Sequence, residues 1–216
     1  MKKYELTTNT KMRFRRKLFQ IKALVSFGDV TAGDLGGYIE KEENLSHNGD
    51  AWISGDAQVY GDALVYGNAQ VYGNARVYGD ALVYGNAQVY GNARVCDDAL
   101  VCGDARVCDD ALVCGDARVS GDALFCGDAQ VYGDALVYGN ADYICLKGFG
   151  SKNRSTTMFR TKSGDVYVCC GCFKGSLKEF SEKVKETHGS SKYAKEYLAC
   201  VEAAKIHFKI GEENDK

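Results

Sequence analysis

Proline is absent from the 216 residues, tryptophan occurs once and histidine three times. A chain without proline must turn by another device, and 25 glycines supply one. No apolar run approaches the ~18 residues of a membrane span. The opening residues, MKKYELTTNTKMRFRRKLFQ, hold no uninterrupted apolar stretch of the secretory type. The expected location is therefore the cytoplasm, and the ten cysteines are expected to be free thiols. Glutamate and lysine are missing from residues 49–142, where 14 Asp and 4 Arg leave a local charge of −10. The flanks carry +3 over 1–48 and +5 over 143–216, so the net −2 conceals an acidic middle between basic ends. Such a field steers partners and keeps a rod soluble, but it names no ligand.

The middle of the chain repeats every six residues, and self-similarity of this kind decides the fold before local propensity does. From Gly49 it reads GDAWIS, GDAQVY, GDALVY, GNAQVY, GNARVY, GDALVY, GNAQVY, GNARVC, DDALVC, GDARVC, DDALVC, GDARVS, GDALFC, GDAQVY, GDALVY and GNADYI, sixteen hexads without an insertion. GDALVYGNAQVYGNARVY at 61–78 returns at 79–96 with a single Tyr-to-Cys change, so three hexads, or 18 residues, form a larger unit. Within a hexad, Ala and Val at the third and fifth positions alternate with outward residues, as in a short strand with one buried face. Gly-Asp or Gly-Asn then turns the chain through positive φ. Three strands and three corners per 18 residues predict a triangular parallel coil whose turns stack at ~4.8 Å. Stacking builds the core that no single hexad can make.

These hexads resemble the hexapeptide-repeat, left-handed parallel β-helix family, and the left hand is implied by that resemblance alone. The fold class expected is mainly β: an N-terminal capping segment over 1–36, the β-helix over 37–144 and a C-terminal α+β module over 145–216. FGDVTAGDLGGYIEKEENLSHNGDAWI is similar to the lead-in segment of bacterial and prophage hexapeptide-repeat proteins. GCFKGSLKEFSEKVKETHG resembles an uncharacterised C-terminal module of phage and bacterial proteins, which implies origin more than activity.

Open coils expose strand edges and need covers. GYIEKE and ENLSHN keep the six-residue phase, with Ile39 and Leu45 expected at the inward Ala position. Lys17–Ala23 alternates as a capping strand, with Phe19, Ile21 and Ala23 on one side. Beyond Ala141, strands are expected at Tyr143–Phe149, Thr156–Thr161 and Asp165–Cys170, with turns at GSKN and KSGD. Ser176 and Glu179 form an S-x-x-E box opening a helix to about His188, with Leu177, Phe180 and Val184 as its buried stripe. A second helix is expected from Lys192 to about Lys209, burying Ala194, Tyr197, Leu198, Val201 and Phe208.

Adding 18 to each residue number predicts the surface. Tyr60, Tyr78, Cys96, Cys114 and Tyr132 form one column, Tyr66, Tyr84, Cys102, Ser120 and Tyr138 a second, and Tyr72, Tyr90, Cys108 and Cys126 a third. One face carries Leu64, Leu82, Leu100 and Leu136, interrupted by Arg118. Leu and Tyr both pointing outward suggest a contact surface, for a second copy in a dimer or trimer or for a host protein. Stacked tyrosines that merely stabilise neighbouring strands are the plainer alternative. Asp62, Asp80, Asp98, Asp116 and Asp134 form an acidic column, read as turn formers, as a cation site or as a phosphate-backbone mimic.

Known relatives of the coil family include acyltransferases that use a histidine beside an extended loop. Here His47, His188 and His207 all lie outside the regular hexads, and no loop interrupts them. The three zinc histidines of β-helical carbonic anhydrases have no counterpart in the coils. His47 reads as a solvated turn residue, with an acyltransferase base as the alternative. Cys169, Cys170 and Cys172 with His188 make a weak match to zinc spacing, and strand alternation sends Cys169 and Cys170 to opposite faces. The coil cysteines lie near enough for bridges, but parallel Cβ directions argue against them. No catalytic residue, metal or cofactor is assigned. The expected function is a non-catalytic scaffold or binding protein, with an acyltransferase-like enzyme and an acidic nucleic-acid mimic as alternatives.

Overall fold

The computed structural model describes residues 1–152 and 154–210; Asn153 of the GSKN turn and residues 211–216 of the C-terminal segment lie outside it. The elements run β1 (Tyr4–Arg13), β2 (Arg16–Ala23) and β3 (Leu35–Ile39), then fifteen two-residue strands from β4 (Trp52–Ile53) to β18 (Leu136–Val137). β19 (Tyr143–Phe149), β20 (Arg154–Arg160), β21 (Val166–Cys170), β22 (Phe173–Ser176), α1 (Leu177–His188) and α2 (Lys192–His207) follow.

The short strands pair in parallel at 18-residue steps, Gln70 with Gln88 and Leu64 with Leu82. Three sheets result, with six parallel strands on the face that includes β3 and five on each of the other two. This is a parallel β-solenoid with 18 residues per turn. Every inward Ala and Val from Ala51 to Val137 is at most 1% exposed, which leaves no ligand cavity along the axis. Backbone conformation favours glycine at the corners: Gly85 has φ 71°, and a Cβ there would lie 2.9 Å from the Gly103 amide nitrogen.

The lead-in differs from expectation in phase. Ile39 pairs with Val59 and Leu45 with Val65, steps of twenty residues, so both occupy the inward Val position rather than the Ala position. Ser46–Asp50 adds the two extra residues as an irregular turn before Trp52. Both side chains remain buried, because the fifth position faces the core as the third does.

The N-terminal cover is larger than the sequence suggested: β1 and β2 form an antiparallel hairpin that extends the sheet through β3. Two side chains replace the missing turn of coil. Lys3 Nζ donates to the Gly49 and Ala51 carbonyls at 3.1 and 2.8 Å, and Asn44 Nδ2 donates to the Gly61 and Ala63 carbonyls at 3.0 and 2.8 Å. Carbonyls one turn on, such as those of Gly79 and Ala81, receive backbone amides instead. Burial pushes the Lys3 ammonium down to about 8, with Asp50 opposing. The basic cap also grips the acidic rod through Lys11–Asp56 at 2.5 Å and Lys41–Asp62 at 2.6 Å.

At the other end β19–β22 form an antiparallel sheet lying across the last turn. Ala135 bridges Thr161, and Phe159, Cys169, Tyr143 and Tyr167 join the solenoid core. Phe125 takes a Val position here and packs against Tyr143, with ring centroids 4.2 Å apart. Helix α1 opens on the expected capping box, the Ser176 hydroxyl accepting from the Glu179 amide and the Glu179 carboxylate accepting from the Ser176 amide. Leu177, Phe180 and Val184 are buried as read, and α2 buries Ala194, Tyr197, Cys200, Val201 and Ala204. The strand Phe173–Ser176 goes beyond what the sequence pattern predicts, since FKGS carries little strand propensity of its own. Among the described residues no helix is long and apolar enough to cross a membrane.

Candidate functional site

Strand alternation delivers the predicted columns. Leu64 faces Leu82, Leu82 faces Leu100, and Arg118 stands between Leu100 and Leu136. These four leucines are half-buried. Beside them the Tyr66 and Tyr84 rings stack at 4.8 Å with 9° between planes, and Tyr138 at the far end is 62% exposed. Tyr60–Tyr78 and Tyr72–Tyr90 stack likewise, at 5.1 and 4.9 Å. A hydrogen bond with Cys102, reinforced by burial, pushes the Tyr84 phenol up to about 12. At the head of the Leu face a shallow groove of about 490 Å³ is lined by Glu42, Leu45, His47, Leu64 and Tyr66.

His47 is not a freely solvated turn residue. Its Nδ1 accepts the Lys3 amide at 3.2 Å, its ring stacks on Tyr4 at 4.4 Å, and Nε2 lies 3.8 Å from the Glu42 carboxylate. Tyr4 Oη in turn lies 2.7 and 2.8 Å from the Glu42 and Leu45 carbonyls, which share its single proton. The histidine thus tethers β1 to the lead-in turn.

Asp62, Asp80, Asp98, Asp116 and Asp134 all stand exposed along one corner. The Lys41 ammonium holds the Asp62 carboxyl below the usual carboxylate range. The other corners answer charge repulsion differently: Asn68, Asn86 and Asp104 form one ladder of side-chain hydrogen bonds, and Asn74, Asn92 and Asp110 another. Adjacent turns are 4.8 Å apart at Cys96 and Cys114. Phosphates of one DNA strand advance ~3.4 Å along the helix axis, so an Asp column falls out of step with them within a few turns.

The coil cysteines overturn two expectations. Cys96–Cys114 and Cys108–Cys126 are disulfide-bonded, with Cα atoms 4.8 and 4.7 Å apart. In-register parallel stacking puts these Cα atoms inside the ~4.4–6.8 Å span of a disulfide, so rotation about χ1 overcomes the parallel Cβ directions. Cys102 lies between Tyr84 and Ser120 in its column and remains a thiol. Each bridge has a carboxylate beside it, on the only two regular corners where Asp replaces Gly: Asp97 at φ 57° and Asp109 at φ 55°. Asp97 Oδ2 lies 3.0 Å from Cys114 Sγ, and Asp109 Oδ2 accepts the Gly127 amide at 3.0 Å. The Asp-Asp pairs at 97–98 and 109–110 were visible in the sequence as breaks in the repeat, each directly after a cysteine.

In the C-terminal sheet Cys169 is buried toward the solenoid, while Cys170 packs on the helix side, as strand alternation requires. Burial drives the Cys169 thiol up to about 12. Cys170, Cys172 and His188 line a groove of about 480 Å³, but among the described residues they form no three-ligand cluster.

The coil, its solid interior and its two covers define a β-solenoid repeat protein, a scaffold by architecture. Residues 57–73, 69–85, 87–103 and 129–141 match a family described as the YdcK Beta solenoid repeat. No curated protein matches the chain.

Proposed function

We propose that the chain is a non-catalytic, left-handed β-helical scaffold that self-associates through its Leu/Tyr face, with the C-terminal module held at one end for a partner such as a host protein. The observation that carries this reading is the in-register run Leu64, Leu82 and Leu100 beside the Tyr66–Tyr84 stack. Equivalent outward positions on the other faces are mostly Gln and Arg, for example Gln70, Gln88 and Arg106. The leucines themselves are uncharged, and the exposed corner of Asp62, Asp80 and Asp98 beside them sets the repulsion that the apolar contact has to outweigh. The solid interior supports a non-catalytic role, and so does the engagement of His47 in the cap. The test is sedimentation of the wild type beside Leu82→Lys with Leu100→Lys. A wild-type oligomer that the charged pair reduces to monomer supports the reading; a wild type that stays monomeric at high micromolar concentration removes the self-association from it.

A further inference from the structure

The two Cys-Asp-Cys groups satisfy a requirement that disulfide formation does not impose. A bridge across adjacent turns needs two cysteines, and an aspartate beside them adds nothing to it. Yet Asp97 and Asp109 replace the glycine that every other regular corner keeps, in a left-handed conformation that L side chains rarely adopt. Both replacements follow the first cysteine of a stacked pair. Cys102, which has no cysteine one turn away, is followed by Gly103. The repeat is therefore broken twice in the same way: Tyr to Cys on two consecutive turns, and Gly to Asp at the corner beside them.

In each group the ligand atoms of the two cysteines and the aspartate lie within 4.8 Å of one another. Two thiolates sharing a tetrahedral zinc at ~2.3 Å stand ~3.8 Å apart, a separation within reach of side chains on strands stacked at 4.8 and 4.7 Å. Asp97 Oδ2 already lies 3.0 Å from Cys114 Sγ. A disulfide sulfur has no proton to give that oxygen, whereas a thiol or a shared cation satisfies both atoms. Cys96, Cys108 and Cys114 are nearly covered, so paired thiolates there need a counter-charge. The neighbouring Asp98 and Asp110 add to the negative field that draws a cation in.

We propose that in the reduced protein each group binds one thiophilic divalent cation of the zinc class, through Cys96, Cys114 and Asp97 at one corner and through Cys108, Cys126 and Asp109 at another. Three protein ligands leave a fourth position for water or a further ligand. Binding replaces two thiol protons with the cation and releases them to solvent. The disulfide is the competing state of the same sulfurs. A phosphine reductant opens it by delivering two electrons and taking the oxygen of one water as phosphine oxide, which leaves both thiols protonated. A small-molecule disulfide reverses this: its own S–S bond breaks to give two thiolates as it takes two electrons from the cysteine sulfurs, the S–S bond of the protein forms, and the cation is expelled.

The test uses the full chain, reduced with a phosphine under argon and titrated with Co²⁺ as an optical probe and Zn²⁺ as its competitor. Two equivalents with thiolate-to-cobalt absorption, displaced by Zn²⁺, are expected. Cys96→Ser with Cys114→Ser should remove one equivalent, and adding Cys108→Ser with Cys126→Ser should remove the other. Ser120 holds the equivalent place in its own column, so serine is compatible with the fold. Asp97→Gly restores the ordinary corner residue and should weaken its site at least tenfold without disturbing the coil. Stoichiometry unchanged in the four-serine variant would place the binding at other cysteines and overturn the proposal. Affinity unchanged in Asp97→Gly and Asp109→Gly would overturn it equally.

Discussion

The turns that carry tyrosine and those that carry cysteine share one backbone and one interior. Val77, Val83 and Val89 are as fully buried as Val107, Val113 and Val119. They differ at the sixth position of the hexad, where stacked rings hold one set of turns and disulfides the other. Two unlike contacts serve the same backbone because the third and fifth positions and the corner glycines already specify it. The outward positions are therefore free to carry chemistry.

The most damaging way to break this comparison is to exchange the two kinds of position. Val101 is fully buried between Val83 and Val119, and Cys102 beside it points outward. Val101→Asp leaves a carboxylate with no partner in an alkyl core and should cost more than ~4 kcal/mol, enough to unfold the central turns. Cys102→Asp should cost under ~1 kcal/mol. Urea unfolding followed by circular dichroism measures both, and equal losses would refute the division between inside and outside.

Reduction distinguishes the two sets of turns next. Each bridge closes an 18-residue loop, for which chain entropy predicts ~3 kcal/mol. Stability in a solenoid is a sum over neighbours, so the loss should stay local. Hydrogen exchange before and after reduction should show amides of residues 96–126 losing protection while those of 61–90 keep theirs. A uniform loss along the rod would mean the coil unfolds as one unit.

The coil was readable because its alternation and its turn residues agree at every step, so that 18-residue stacking followed from counting. What escaped the sequence was decided by three-dimensional neighbours. The phase of Ile39 and Leu45 depends on two extra residues hidden in an irregular turn. Lys3 reads as an ordinary basic residue until the Gly49 and Ala51 carbonyls lie in front of it. The disulfides depend on a rotamer choice that periodicity does not specify. Of the candidate surface, the Leu and Tyr columns could be counted out beforehand, whereas the place of Asp97 and Asp109 beside sulfur required the corner geometry.

The smallest effect lies at the border between the two regions, where Tyr84 from the ring-stacked turns meets the thiol of Cys102. Its phenol is pushed up to about 12 by that hydrogen bond first and by burial second, against an ordinary value of 10.0. A raised acid pKa means the folded state holds the proton more tightly than the unfolded chain does. The contribution is therefore complete below pH 10 and is lost as pH rises through about 12. Tyr84 is partly exposed, so solvent screening keeps the effect below ~1 kcal/mol. Cys102→Ala should move the Tyr84 midpoint down toward 10 without reaching it, because burial against Tyr66 remains. Ring-carbon chemical shifts of labelled tyrosine across pH 9 to 12.5 report this directly. An unmoved midpoint would show that stacking alone, and not contact with the cysteine-bearing turn, sets the titration of this ring.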